Sequence, residues 1–312
     1  MEKNRETAPA KAAPRELDEF VFMISNQRRY SKYTVRNYRE AVADWISWLA
    51  ETDYAGGDFR MADKKTARAY VAKLGMEYSR ATIHNRISAI RSFYKYLIRS
   101  QRAEADPFSL VRLPKKEKGL PVFLSESAMP SLLSAPRVDE ADGRESKEEA
   151  VRDALCLELL YGAGLRVSEL CNLKWGDVDF STNSARILGK GAKVRFCPFG
   201  EKAGEVLRLW RSEFAKSTER DAPAITLESG KPLYPRYVQR MIKKYLAETM
   251  LPSDITPHKL RHSFATHLVN AGIDLRSLQE MLGHASLSTT QIYTHLGTRK
   301  LVEEHRLNHP RA

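Results

Sequence analysis

The stretch Thr256-Pro257-His258-Lys259-Leu260-Arg261-His262-Ser263-Phe264-Ala265-Thr266-His267 sets a cluster of basic groups at the start of a helix. Thr256 reads as the N-cap, whose hydroxyl accepts an orphan backbone N–H, and Pro257 as the first helical residue, where its fixed φ fits and its missing N–H costs nothing. Phe264, Leu268 and Val269 follow at helical spacing, and Gly272 ends the run. His258 and Arg261, three apart, then share a face at the positive end of the helix, where free N–H groups and the dipole stabilise an anion. A guanidinium can clamp two phosphoryl oxygens while an imidazole exchanges a proton near neutral pH. Taken alone, the pair serves equally well as a structural cap. His258, His262, His267, His284 and His295 also raise the question of a metal. The H-E-x-x-H spacing is absent, since Lys259 stands where the glutamate would, and Lys259 and Arg261 would repel a cation, so no metal is expected.

Working outward, Leu275 to Leu282 forms another helical pattern closed by Gly283, with His284 next in line; Tyr293 lies on a further predicted helix, Leu287 to His295. Upstream, Gly162-Ala163-Gly164-Leu165-Arg166-Val167-Ser168-Glu169-Leu170 lets the backbone turn before a helix whose first residue is Arg166. A helix start is a poor place for a cation unless an anion is expected nearby. Residues 184–188 and 193–198 read as two strands joined by Gly189-Lys190-Gly191, which gives Lys190 the reach to enter a site from above. Individually these signals are weak: a lone tyrosine on an amphipathic helix is usually core, a histidine after a helix-stopping glycine usually a surface turn residue, and a turn lysine usually a solubiliser.

The 312 residues suggest two domains, each able to bury a core. Of the net charge of +12, residues 1–120 carry +9 (24 Lys and Arg against 15 Asp and Glu), which makes a polyanion the first partner to consider. There is no apolar run of about 18 residues and no signal-peptide pattern, so a cytoplasmic protein with no membrane partner is expected. Cys156, Cys171 and Cys197 form no C-x-x-C pair and read as core thiols. Residues 1–14 read as a disordered tail. Four helical patterns fill 15–103: Leu17, Phe20, Val21 and Ile24; Tyr38, Val42, Trp45 and Leu49; residues 63–78 with Ala69, Tyr70, Leu74 and Met76; and Ile83, Ile87, Ile90, Tyr94 and Leu97. Arg28, Arg29, Lys32, Arg36 and Arg39, and then Arg80, Arg86, Arg91, Lys95 and Arg99, are spaced to follow a phosphate backbone. Residues 104–120, with Pro107, Pro114 and the run Lys115-Lys116-Glu117-Lys118, read as a linker. The second domain, 121–312, opens on Ser125 to Leu133 and an acidic stretch, Asp139 to Glu149, expected as an exposed loop or helix start. A buried helix, Ala150 to Leu160, follows. The fold class is mainly α, with a small antiparallel sheet in the second domain.

Arg166, Lys190, His258-x-x-Arg261, His284 and Tyr293, in this order, resemble the tyrosine recombinases, or phage integrase family. So do the strings Gly-Ala-Gly-Leu-Arg-Val-Ser-Glu-Leu, Gly-Lys-Gly and Leu-Gly-His-Ala-Ser-Leu-Ser-Thr-Thr-Gln-Ile-Tyr-Thr-His. The resemblance covers residues 15 to 312, and the ending His309-Pro310-Arg311-Ala312 is similar to that of the Xer type. The acidic stretch and the strand Lys193 to Pro198 depart from the Xer pattern in detail. The resemblance implies a four-helix, SAM-like core-binding domain followed by the integrase catalytic fold. It implies Tyr293 as nucleophile forming a 3′-phosphotyrosyl link, Arg166 and Arg261 stabilising the transition state, and Lys190 protonating the leaving 5′-oxygen. His258 would take the tyrosine proton and His284 would hydrogen-bond the phosphate, with no metal, cofactor or ATP. As partners it implies double-stranded DNA with a short, partly palindromic site, a related second Xer recombinase in a heterotetramer, and a DNA-translocating division protein. The implied task is resolving chromosome dimers at a dif-like site before cell division. A mobile-element integrase, a type IB topoisomerase-like relaxase and a DNA-binding protein that has lost catalysis are the alternatives. The last should lack one of the six groups, and all six are present.

Overall fold

The structure, a computed structural model, describes residues 14–27, 30–52, 54–115, 123–189, 194–283 and 295–311, the last with side chains from 301 onward. The chain divides into two compact units, Met1–Gly119 and Leu120–Ala312.

In the first unit α1 (Arg15–Phe22) runs into a π-helical turn, Met23–Gln27, and is followed by α2 (Lys32–Glu51), α3 (Lys64–Glu77) and α4 (Arg80–Arg99). Three starts are set by side chains: Ser31, Asp63 and Ser79 each accept the N–H of the residue three ahead. Leu17, Phe20, Ile24, Val42, Trp45, Leu49, Tyr70, Leu74 and the five residues of the α4 stripe meet in one core. Met76 departs from its expected place and is exposed, because α3 turns only a narrow face inward. Residues 104–115, read as the start of a linker, instead fold onto this unit. Phe108 and Val111 enter its core, and the side chain of Arg91 donates to the Phe108 carbonyl. The tail 1–13, Arg28, Arg29 and the run 116–118 lie outside the described residues.

Not all of the basic residues on α4 are available to a phosphate backbone. Arg86 donates to Asp44 at 3.0 Å and lies over the Tyr78 ring, and Arg91 is tied to Phe108. Lys95 and Arg99 are exposed, as are Lys32, Arg36 and Arg39 of α2.

The second unit holds α5 (Met129–Ala141), α6 (Lys147–Gly162), α7 (Val167–Cys171), β1 (Val178–Asp179), β2 (Ser184–Leu188), β3 (Val194–Pro198), α8 (Glu201–Glu213), α9 (Pro235–Glu248), α10 (Pro257–Asn270), α11 (Leu275–Leu282) and α12 (His295–Asn308). The strands form an antiparallel sheet ordered β1-β2-β3, with Leu188 opposite Val194 and Ser184 opposite Pro198. β1, two residues long, was not legible as a strand. The helix expected at Ala150 begins a turn earlier, where Ser146 caps α6 by accepting the N–H of Glu149. α6 is buried along most of its length, and the core forms around it.

The acidic stretch is in part the exposed loop and helix start expected of it, since Asp142, Gly143 and Arg144 are exposed and α6 begins at Lys147, but it also carries buried acids. Asp139 is 1% exposed and bonds Lys244 at 2.6 Å and Arg144 at 2.9 Å, while Glu145 accepts from Lys244 and from the Tyr245 hydroxyl. Asp153 takes hydrogen bonds from Tyr237, Tyr245 and Arg152. This network joins α5, α6 and α9. Charge in the sequence is here a sign of paired burial rather than of solvation.

Candidate active site

The start of α7, the second turn of α10, the end of α11 and strand β3 meet through hydrogen bonds in the second unit. Gly164 makes the first turn possible: its φ is +57°, and a Cβ there would come within 2.5 Å of the Phe264 ring, so neither the backbone nor the space admits a side chain. The turn delivers Arg166 to the N-cap of α7, where the backbone N–H of Arg166 donates to Glu169 at 2.7 Å and its guanidinium to the other oxygen of the same carboxylate at 2.7 Å. The Arg166 side chain is 41% exposed.

Arg261 comes from the second turn of α10, and the expected start of that helix is found: Thr256 accepts the N–H of Lys259 and Pro257 stands first. Its side chain is buried and donates to the carbonyls of Gly164 and Leu282. Arg166 also reaches the Leu282 carbonyl, at 3.4 Å. Two arginines from separate parts of the chain therefore meet at the carbonyl that ends α11, two residues before His284.

A third arginine joins them. Arg195 of β3, 3% exposed, grips Glu169 with both arms, at 2.8 and 2.7 Å, and donates its Nε–H to the Met281 carbonyl at 2.9 Å. Burial alone would raise the Glu169 carboxyl, but bonds from Arg195 and from the Arg166 N–H overcome that and hold it at about 2. Arg261 shows the opposite stress: burial, then the charges of Arg166 and Arg195, push it down to about 10. Three guanidiniums face one carboxylate, an imbalance of two positive charges in a largely buried place. Such an arrangement is relieved by a bound anion.

His258, one turn before Arg261, is exposed. Lys190, His284 and Tyr293 lie outside the described residues. His262 is exposed, whereas His267 is a core residue: its Nε2–H donates to the Leu124 carbonyl at 2.9 Å, which leaves Nδ1 to accept from the Tyr161 hydroxyl at 2.9 Å. The three cysteines are buried. Burial pushes the thiols of Cys171 and Cys197 up to about 12 and about 11. α12 packs on its own unit, with Leu301 in the core and the His305 Nε2–H donating to the Gly162 carbonyl at 2.6 Å.

Sequence reasoning passed over Glu169 and Arg195. Glu169 stands three residues after Arg166, the spacing at which an acid reaches back to an N-cap N–H, and that signal was present. Arg195 gave a misleading one, because period-two alternation puts Val194 and Phe196 on the face that would ordinarily turn inward.

Two helical units, the second carrying a small antiparallel sheet and a cluster of three arginines around Glu169, define a class that comparison with known proteins identifies. Residues 17–101 match the phage integrase N-terminal SAM-like domain, and residues 123–299 match the phage integrase family. The chain belongs to the phage integrase family and is a site-specific tyrosine recombinase. It is 37% identical over 299 residues to tyrosine recombinase XerC of Bacillus subtilis (strain 168), covering 94% of this chain and 95% of that one. It is 38% identical to the XerC of Bacillus licheniformis, covering 94% and 95%. Among solved structures the fold is similar to XerH site-specific recombinase bound to palindromic difH substrate. That likeness has a TM-score of 0.69 at 20% identity and covers 92% of this chain and 83% of that one.

Proposed function

We propose that Arg166, Lys190, His258, Arg261, His284 and Tyr293 act as one active site on double-stranded DNA. The Tyr293 oxygen attacks a backbone phosphorus as His258 takes its proton. The bond to the 5′-oxygen breaks, Lys190 protonates that leaving oxygen, and a 3′-phosphotyrosyl link remains. Because the link conserves the energy of the phosphodiester, rejoining by a 5′-hydroxyl needs no ATP. Arg166 and Arg261 stabilise the charge that grows on the non-bridging oxygens, and His284 hydrogen-bonds the phosphate. The observation that carries this reading is the meeting of Arg166 and Arg261 at the Leu282 carbonyl, with more positive charge than Glu169 neutralises.

The task we propose is the resolution of chromosome dimers in the cytoplasm, at a short, partly palindromic, dif-like site, before cell division. It is carried out with a related second Xer recombinase in a heterotetramer and with a DNA-translocating division protein. The 37–38% identity to XerC proteins over 94% of the chain supports the recombination task. To test both parts, the protein and its Tyr293→Phe variant are incubated with fragments of the source genome, and DNA left covalently attached after denaturation is sequenced. One enriched locus, with wild type only, is the expected result. Equal attachment by the variant would remove Tyr293 from its role, and scattered attachment would remove the site-specific task.

A further inference from the structure

Arg195 is the charged group at the site for which the proposed chemistry has no use. It occupies an inward position of β3, where Cys197 is its inward neighbour and Cys197 Sγ lies 3.6 Å from the Met281 carbonyl that also accepts from Arg195. Both arms of its guanidinium are turned to Glu169. The same carboxylate accepts from Arg166 at 2.7 Å and lies 3.7 Å from Arg261. Glu169 is thus an anion already lodged among the groups proposed to hold the phosphate. A carboxylate and a phosphate compete for the same guanidinium geometry.

We propose that Arg195 is a positioning residue, which neutralises Glu169 so that Arg166 and Arg261 keep their charge for the phosphate, and which fastens β3 to the end of α11. The inference rests on the assignment of Arg166 and Arg261 as the phosphate clamp. With Arg195 present, three cations face one anion, and two positive charges remain. Without it a single charge is left, and Glu169 draws on the same two arginines that the phosphate needs. Its second grip, on the Met281 carbonyl, reaches the chain just before Gly283. The backbone of Gly283 has a φ of +61°, and a Cβ there would come within 2.8 Å of Arg195 Cδ, so the arginine's aliphatic stem occupies the space a side chain would take. Arg195 thereby ties β3 to α7 through Glu169 and to the end of α11 through the Met281 carbonyl.

The test separates charge compensation from packing. Arg195→Met, Arg195→Met with Glu169→Gln, and Arg195→Lys are compared with wild type. The duplex used carries the locus recovered by covalent capture, and single-turnover attachment is followed. Arg195→Met is expected to attach about 10²-fold more slowly, the cost of one misplaced charge-stabilising donor. Adding Glu169→Gln restores the net charge of two and is expected to recover at least about tenfold of that loss. Arg195→Lys, which keeps the charge and loses the fork, is expected between wild type and Arg195→Met. Inorganic phosphate supplies a readout without DNA: it should raise the thermal midpoint of wild type and of the double variant, and not that of Arg195→Met. If Arg195→Met fails to fold, the double variant and Arg195→Lys still carry the comparison, because neither leaves a buried carboxylate without its counter-ion. Attachment by Arg195→Met at the wild-type rate, a double variant no faster than the single, or equal phosphate protection in all forms would overturn the proposal. Wild type that neither attaches DNA nor gains from phosphate would instead remove the clamp itself, and this inference would fall with it.

Discussion

Replacing Arg261 by lysine keeps a cation on the second turn of α10 and removes the fork that reaches two carbonyls. Gly164 and Leu282 both accept from Arg261 in a buried setting. A single ammonium cannot hold both in the same geometry, and one buried acceptor left unpaired costs about 1–3 kcal/mol of stability. On the reaction itself, the loss of an oriented donor to the developing charge is worth about 10²–10³ in rate. The electrostatics add a sharper mark. Burial and the charges of Arg166 and Arg195 bring Arg261 down to about 10, still fully charged at neutral pH. A lysine ordinarily titrates lower than an arginine, and the same burial and neighbouring charges would lower it further. Its charge is then lost at a lower pH than that of Arg261. The ratio of variant to wild-type attachment rates, measured by single turnover from pH 7 to 9.5, should therefore fall progressively as pH rises. Taking the ratio cancels titrations common to both proteins. A ratio flat across that range would refute the claim that position 261 sits in an excess of positive charge.

Tyr293→Phe should retain DNA binding in a gel-shift assay and yield no covalent product; covalent product at wild-type levels would reassign the nucleophile. Gly164→Ala should lower unfolding free energy by about 2–5 kcal/mol in urea melts, combining a left-handed backbone cost of about 1–2 kcal/mol with overpacking against Phe264. A loss of only about 1–2 kcal/mol would mean that the ring moves aside freely and the backbone cost alone remains. Acid should weaken the docking of α12. Burial holds His305 down to about 4, and burial with the His305 charge holds His309 well below its usual range, so both favour the folded state above about pH 6.5 and lose that contribution as pH falls. The His305 share is about 3 kcal/mol, and His305→Phe should flatten the difference between urea melts at pH 7 and pH 4.5. Asp153, raised to about 6 by burial against the pull of Arg152 and Tyr237, runs the other way: its contribution is present at low pH and lost as pH rises toward 6. Asp153→Asn should therefore steepen the acid loss in the same melts, and an unchanged slope would mean that Asp153 stays ionised in the fold.

What the sequence made legible is what repeats. The α4 stripe of Ile83, Ile87, Ile90, Tyr94 and Leu97 recurs at the helical period and is buried as expected. Ser184 to Leu188 could be read because Gly189 and Gly191 punctuate the sequence after it. The two-residue β1 could not, since its extended state is imposed by pairing with β2 rather than by its own composition. Phe108 and Val111 were read as linker because prolines interrupt every period around them, yet an apolar side chain needs no periodic neighbours to fill a gap in a helical core. The buried acids of the acidic stretch escaped for a different reason. Asp139 and Glu145 pair with Lys244, about a hundred residues away along the chain, and no local pattern announces a partner at that distance.

The active site divides along the same line. Where Arg166 and Arg261 stand in the fold was legible because each lies in a string with strong local demands, a glycine turn in one case and a capped helix start in the other, whereas only the resemblance joined them into one candidate site. Those demands fix where each backbone goes, and from there a long side chain has few ways to turn. Arg195 follows no such rule. An arginine inside a strand is ordinarily assigned to the solvent face, and the alternation of Val194 and Phe196 strengthens that assignment. It is reversed here because Glu169 lies buried within reach of the sheet, and a buried carboxylate is more stable with a cation that grips both of its oxygens. The inward arginine is thus a consequence of charge balance in the finished fold. Its place is set by the residues it must neutralise rather than by those beside it in the chain.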